Sequence, residues 1–233
     1  MTCELRAVDA AVDTSMHDAR IDAAPDAPQI DAAVGPRLVQ QNTNYADTST
    51  TLSVTLANLP AAGDVLVMIG GTPYSQLDSV TGGGVATWTQ AAASLTNANI
   101  EVWVGVTNGS SATVTIACAA NTTSMDISVT EWAGLVTTNL VDAGAATSGT
   151  TSPADAGPIT TTHAHDLLLF GAADGAPNTW GSPGAGWTAL TPMTGSITQA
   201  QWYRYVTSTG TYEPTASETA NAWDAAVVAL RAP

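Results

Sequence analysis

The chain has 233 residues, 45% of them hydrophobic, enough to bury a sizeable core. Only 11% are charged, against the ~25% of an ordinary soluble protein; the net charge is −15 and there is no lysine. An acidic chain without a basic stripe argues against a nucleic-acid partner and against adsorption to anionic lipid. No run approaches the ~18 apolar residues that span a bilayer.

Residues 1–36 carry Glu4 and six aspartates against Arg6 and Arg20. Asp-Ala pairs recur from Asp9 to Asp31, with Pro25, Pro28 and Pro36 among them. Prolines break a helix, like charges repel, and there is little apolar surface to offset ordering entropy, so a disordered, extended linker is expected. No basic-then-apolar leader opens the chain. The opening Met1-Thr2-Cys3-Glu4 resembles the mature start of a bacterial lipoprotein, which implies lipidation at Cys3 and contact with the outer membrane only through that anchor. Cys3 and Cys118 lie in unlike surroundings and are not expected to pair. Cys118, in the alternating Thr113–Cys118 run, reads as a small buried hydrophobe.

From Arg37 the chain reads as short alternating runs separated by Gly, Asn, Pro, Ser and Thr clusters, with no helical periodicity. Strands are expected near 37–43, 50–57, 64–70, 85–91, 99–106, 112–118 and 124–132, then near 140–146, 157–162, 165–172, 186–190, 199–206, 211–216 and 222–231. The class is all-β, a β-sandwich or jelly roll. Four features return in order at offsets of 98 to 102 residues: the apolar run after Asp64 after Asp166, Trp88-Thr89 as Trp187-Thr188, Val106-Thr107 as Val206-Thr207, and Asp126 as Asp224. They predict a unit used twice, 37–135 and 136–233, as tandem sandwiches or as one compact sandwich over 37–233. The runs at Asp64 and Asp166 are apolar throughout and should be central, covered on both faces. Thr107–Ser110 and Ser208–Gly210 have the composition of hairpin turns. Gly82-Gly83-Gly84 leads into a strand and reads as a turn, not a phosphate cradle.

Gly63-Asp64-Val65-Leu66-Val67, Ile100-Glu101-Val102-Trp103, Val129–Gly134, Asp166–Leu169 and Trp223–Leu230 together resemble an uncharacterised β-sandwich domain of secreted bacterial and phage-associated proteins. The resemblance implies a sandwich in an extracellular or cell-envelope setting. It implies no activity and no cofactor.

His163 and His165, at i and i+2 on a strand, would share a face and form a weak metal candidate; the other histidine, His17, lies in the linker. Asp126 and Glu131 stand five apart on one strand and so face opposite ways, which spoils them as an acid–base pair. Glu131 is expected to pair with Arg204 or Arg231. Arg204 falls on the core side of its strand and needs an acidic partner or a place near the strand end. No nucleophile, P-loop, dinucleotide or EF-hand signature is present.

The aromatic set is skewed, with seven Trp and five Tyr against one Phe. Trp and Tyr join an apolar face to a polar edge and suit stacking on sugar rings. Alternation puts Glu101 and Trp103 on one outward face, and Gln201, Tyr203 and Tyr205 on another, with Trp202 and Val206 towards the core. Trp180 lies in the Gly/Pro-rich loop 178–186. Trp88, Trp187 and Trp223 read as core. The expected function is a non-catalytic extracellular or envelope module that binds carbohydrate or a cell surface through Trp103, Tyr203, Tyr205, Glu101, Gln201 and Trp180. The alternatives are an assembly subunit of a surface structure, then a glycan-active hydrolase. An aromatic platform requires Trp103 and Tyr203 to be solvent-exposed.

Overall fold

In the computed structural model, the described residues are 35–73, 75–119, 124–176, 178–194, 198–219 and 221–233. Nearly all of the expected linker, Cys3 included, lies outside them. The described residues fall in one compact unit and contain strands and no helix.

The strands, in chain order, are β1 (Arg37–Ala46), β2 (Thr51–Thr55), β3 (Val65–Gly71), β4 (Ser79–Gly82), β5 (Thr89–Ser94), β6 (Ile100–Val106), β7 (Thr113–Ala117) and β8 (Met125–Ala133). They continue with β9 (Val141–Gly149), β10 (Ala154–Asp155), β11 (Ile159–Thr160), β12 (Asp166–Asp174), β13 (Thr188–Ala189), β14 (Met193–Thr194), β15 (Thr198–Val206), β16 (Thr211–Tyr212), β17 (Thr215–Ala216) and β18 (Trp223–Arg231).

Two large antiparallel sheets carry the fold. One runs β1-β8-β3-β6-β5; the other runs β9-β18-β12-β15-β13, with β14 also on β15. The order of hydrogen-bonded neighbours is the same in both. Gly71 on β3 faces Asp126, as Ala173 on β12 faces Asp224. Met68 faces Trp103, as Phe170 faces Trp202, so Trp103 corresponds to Trp202.

Both faces of each large sheet are covered. Between the sheets pack Val65, Val67, Ile69, Ile100, Val102 and Trp132 against Leu167, Leu169, Ala226, Val228 and Leu230. Outside the five-stranded sheet, β2-β7-β4 encloses a second cluster with Leu66, Met68, Val114, Ile116 and Ile127. Outside the six-stranded sheet, the pairs β10-β17 and β11-β16 accompany a third cluster with Leu168, Phe170, Trp202 and Trp223. This explains why the central runs are apolar at every position: β3 and β12 are buried throughout. Each such side chain contributes about 1.5–3 kcal/mol. Cys118 is buried in the second cluster.

Two expectations are corrected. The turns at 107–110 and 208–210 do not close hairpins: β6 and β7 lie in different sheets, as do β15 and β16, so each turn carries the chain from one layer to the next. Nor does β15 have a solvent face. Trp202 and Val206 pack in the outer cluster, whereas Tyr203 packs between the sheets, edge-on to Trp132 at 4.9 Å between ring centroids.

One carboxylate ties the halves together. Asp224 on β18, fully buried, accepts from the backbone N–H groups of Thr96 (3.2 Å), Asn97 (2.7 Å), Ala98 (2.7 Å) and Asn99 (3.0 Å), and from the Ser94 hydroxyl. These belong to the end of β5 and the loop into β6, in the opposite sheet. Asp224→Asn keeps the shape but turns one acceptor into a donor facing donors. Urea unfolding should show a loss of about 2–4 kcal/mol; a loss below about 0.5 kcal/mol would refute the anchoring role.

Candidate functional site

The predicted platform residues are not brought together. Glu101 is fully buried and accepts from Leu77 N (2.7 Å), Gln90 Nε2 (2.6 Å) and Trp103 Nε1 (2.9 Å). Burial pushes its carboxyl up, and the donors from Leu77, Trp103 and Gln90 pull against that shift. Trp103 is half-buried, and its polar edge is already committed to Glu101. Tyr203 lies between the sheets. Tyr205 is exposed, but its hydroxyl meets His165 Nδ1 at 2.8 Å and its ring lies so close to Gly35 that an added Cβ there would sit 2.9 Å away. The outward-face assignment fails because alternation distinguishes two faces without saying that a second layer covers the polar one.

The histidines do not share an ion site. Residues 162–165 form a bend rather than strand, and His165 has φ 65°. His163 Nδ1 turns to Asp142 (2.7 Å) and His165 to Tyr205. Among the described residues no group of three or more His, Cys, Asp or Glu is placed to hold a metal. The expected ion pair is also absent: Glu131 accepts from Ala61 N (2.8 Å) and Gln40 Nε2 (2.5 Å), while Arg231 donates to Asn139 O (3.2 Å). Arg204 lies near the end of β15 over the Tyr212 ring, 5.7 Å from its centroid, which resolves its awkward place on the covered face.

A different constellation forms at the β15 edge. In the first sheet β5 is a single strand along β6, with one bulge at Ala91. In the second the matching edge is split: β13 pairs with Trp202 and Tyr203, Leu190 N still donates to Gln201 O (2.9 Å), β14 pairs with Thr198 and Gln199, and 191–192 leave the ladder between them. A pocket of about 300 Å³ opens there, walled by Trp180, Trp202, Leu190, Pro192 and Met193 and bordered by Asn178, Thr198, Gln199 and Gln201.

Its polar members are unusual. Gln201 faces Gly171 as Val102 faces Ile69, and two residues back Gln199 holds the place of Ile100. In the first sheet these positions are aliphatic core; in the second they are amides, 0% and 1% exposed. Gln201 Nε2 donates to Gln199 Oε1 (2.5 Å), which leaves Gln201 Oε1 and Gln199 Nε2 buried without partners. Trp180 Nε1, in the outer cluster with Trp202, is also buried and unpartnered. Each such group costs about 1–3 kcal/mol. The Trp180 loop is braced from behind: Asn178 Nδ2 donates to Asp174 (2.7 Å) and Glu218 (3.3 Å), and its Oδ1 accepts from Thr179 N and Thr219 N. Among the described residues, no ionisable side chain lines the pocket.

Of the predicted residues, Trp180 and Gln201 meet here. Sequence reasoning missed Gln199, Trp202 and Asn178. The signal was present: polar Gln199 and Gln201 replace Ile100 and Val102 once the halves are aligned at the register the strands adopt. In comparison with known proteins, no family model, no curated protein and no solved structure matches this chain.

Glu101 then has a structural role, fixing the 77 loop, Gln90 and Trp103. Glu101→Ala should leave three donors short of an acceptor and cost about 2–4 kcal/mol in denaturant unfolding. A change within about 0.5 kcal/mol would return Glu101 to the list of binding candidates.

Proposed function

We propose that this chain is a non-catalytic binding module, of extracellular or cell-envelope setting, that takes a small uncharged hydroxylated ring, a sugar unit, in the pocket at the β15 edge. The observation that carries the reading is the buried Gln199–Gln201 pair, with unmet hydrogen-bonding atoms, standing where the matching sheet has Ile100 and Val102. A fold that accommodates aliphatic side chains at those places carries unpaired amides only at a cost, and a hydroxylated ligand beside them offers donors and acceptors alike.

The pocket suits that ligand in size, shape and charge. Its volume, about 300 Å³, is at the lower end of small-molecule sites. Two indoles supply apolar faces against which a ring can stack, and Trp180 adds an N–H. Among the described residues the polar side chains of the lining are Thr hydroxyls, amides and indole N–H groups, which favours a neutral ligand and supports binding without turnover. The extracellular setting rests on the hydroxyl-rich, lysine-free composition and on the resemblance to secreted sandwich domains.

The test is a glycan array followed by calorimetric titration of the hits. Trp180→Ala should weaken binding about tenfold or more, the loss of one aromatic contact. Restoring the aliphatic pair with Gln199→Ile/Gln201→Val should abolish binding while raising stability by about 1–3 kcal/mol. An array without hits, together with concentration-dependent oligomers, would favour the assembly reading instead. A double variant that still binds would dismiss the pocket.

A further inference from the structure

The two residues that leave the ladder at the pocket, Thr191 and Pro192, do so at a defined place. In the first sheet Gln90 faces Trp103, Ala91 bulges, and Ala92, Ala93 and Ser94 then face Val102, Glu101 and Ile100. In the second, Ala189 faces Trp202 and Met193 faces Gln199. Both flanks of the gap therefore keep the register of β5 on β6. Thr191 and Pro192 stand where Ala92 and Ala93 are paired, and the β15 residues they would face are Gln201 and Ala200. The gap is no insertion. The chain has the right number of residues to close it, and two of them do not pair.

For Pro192 the reason is local, since proline has no N–H to give a ladder. For Thr191 the reason comes from the other sheet. Along β1, Gln40, Asn42 and Asn44 donate to the carbonyls of Asn58 (3.0 Å), Thr55 (2.7 Å) and Ser53 (2.7 Å), on the side of β2. Alternation turns Gln41 to the opposite face, where β14 packs against β1 and β8. There Gln41 Oε1 accepts from Thr191 N (2.9 Å), and Gln41 Nε2 donates to Thr191 O (3.1 Å). One side-chain amide thus makes with Thr191 the two bonds that a residue of a neighbouring strand would make. Gln41 Nε2 also donates to Ser128 Oγ (3.1 Å), a buried hydroxyl on β8, which fixes the amide on the first sheet. Leu190 N is the last to reach Gln201 O (2.9 Å); the next N–H along the chain goes to Gln41.

We propose that Gln41 is a positioning residue for the pocket: by taking both backbone bonds of Thr191 it holds the 191–192 segment off β15 and keeps the pocket open. The pocket is then built by both sheets, and its mouth depends on a side chain that does not line it. The proposal deepens the sugar-binding reading and rests on it for its functional consequence; the hold itself rests on strand pairing alone. A ring entering a gap already held apart breaks no ladder bonds on the way in, so the preorganised gap adds to affinity. Without Gln41, the N–H and C=O of Thr191 turn to the backbone of Gln201, as Ala92 pairs with Val102, and draw the Pro192 wall inward.

The test is NMR on the full chain and on two variants, Gln41→Leu and Gln41→Leu/Pro192→Ala, the second of which also supplies the missing N–H. Before any sugar is added, wild type should show cross-peaks between the Gln41 side-chain amide and Thr191, and none between Thr191 and Gln201. The double variant should show Thr191 against Gln201, with the Thr191 amide still protected from exchange. Absence of the Gln41–Thr191 cross-peaks in wild type overturns the hold, and so does a folded double variant in which Thr191 stays away from Gln201. Titration with methyl glucoside, methyl galactoside and methyl mannoside then reads the consequence. Gln41→Leu should weaken the tightest of them about tenfold, and the double variant about a hundredfold. A merely structural Gln41 would lower the urea midpoint and leave the affinity of the folded protein unchanged, which overturns the positioning role. If none of the three binds wild type, the sugar reading fails, while the cross-peaks still decide whether Gln41 holds the gap.

Discussion

The constraint on which this structure depends is that both large sheets are covered on both faces, in a chain with no lysine and few arginines. Any acid on those strands enters a dry interior without a cation to meet it. Among the described residues the one ion pair is His163 with Asp142. The carboxylates turn instead to backbone N–H groups. Asp224 collects four of them, Glu101 takes Leu77, Glu131 takes Ala61, Asp126 takes Gly71, and Asp174 takes Ala176. Each bond satisfies a carboxyl oxygen and a backbone donor at once. The low content of charge is thus no sign of weak electrostatics. The acids act as staples that fix connecting loops onto the sheets, and Asp224 does this across the interface between them.

That pattern gives meaning to its exceptions. Desolvation raises Asp126 to about 7 against the single pull of Gly71, and raises Asp64 to about 6, with Glu131 adding to the rise and Arg37 opposing it. These acids, with Asp166, bind protons more tightly folded than unfolded, so the folded state is favoured towards mild acid. Buried polar atoms without partners fall largely in the second half: both Asp166 carboxyl oxygens, Glu218 Oε1 and Arg231 Nε, and one atom each of Gln199, Gln201 and Trp180 around the pocket, with Thr72 Oγ1 and Asn99 Oδ1 in the first. Under the proposed function a ligand completes the atoms around the pocket.

Much of the fold was legible in the sequence, because strand periodicity and turn residues are local properties. The apolar runs after Asp64 and Asp166 announced central strands, and Gly and Asn at 107–110 and 208–210 announced turns. The layering was not legible. A turn's composition does not say which sheet the next strand joins, and β6 and β15 showed alternation whose polar side was taken for a water face. Glu101 illustrates the reason: its three donors come from positions 77, 90 and 103 and become visible only in three dimensions. Half of the pocket was within reach. Trp180 and Gln201 stand out for their chemistry, but Trp202 reads as core, and matching Val106 to Val206 sets the second strand one residue off the register that pairs Gln199 with Ile100.

The comparison of β6 with β15 also bears on why a site forms at one edge and not the other. Along β6 the partner is one strand with a single bulge at Ala91, the inward positions are Ile100, Val102 and Val104, and Ile100 reaches across to Gly171, where an added Cβ would sit 2.8 Å from its Cδ1. Along β15 the partner breaks into β13 and β14, and the same positions become Gln199, Gln201 and Tyr203. A broken edge removes ladder hydrogen bonds and packing together, so it weakens the sheet twice. Here the gap is flanked by two tryptophans and a loop held in place by Asn178 between two acids. Preorganised walls around an underfilled, polar-floored gap are what a binding site needs and what a purely structural edge has no reason to keep.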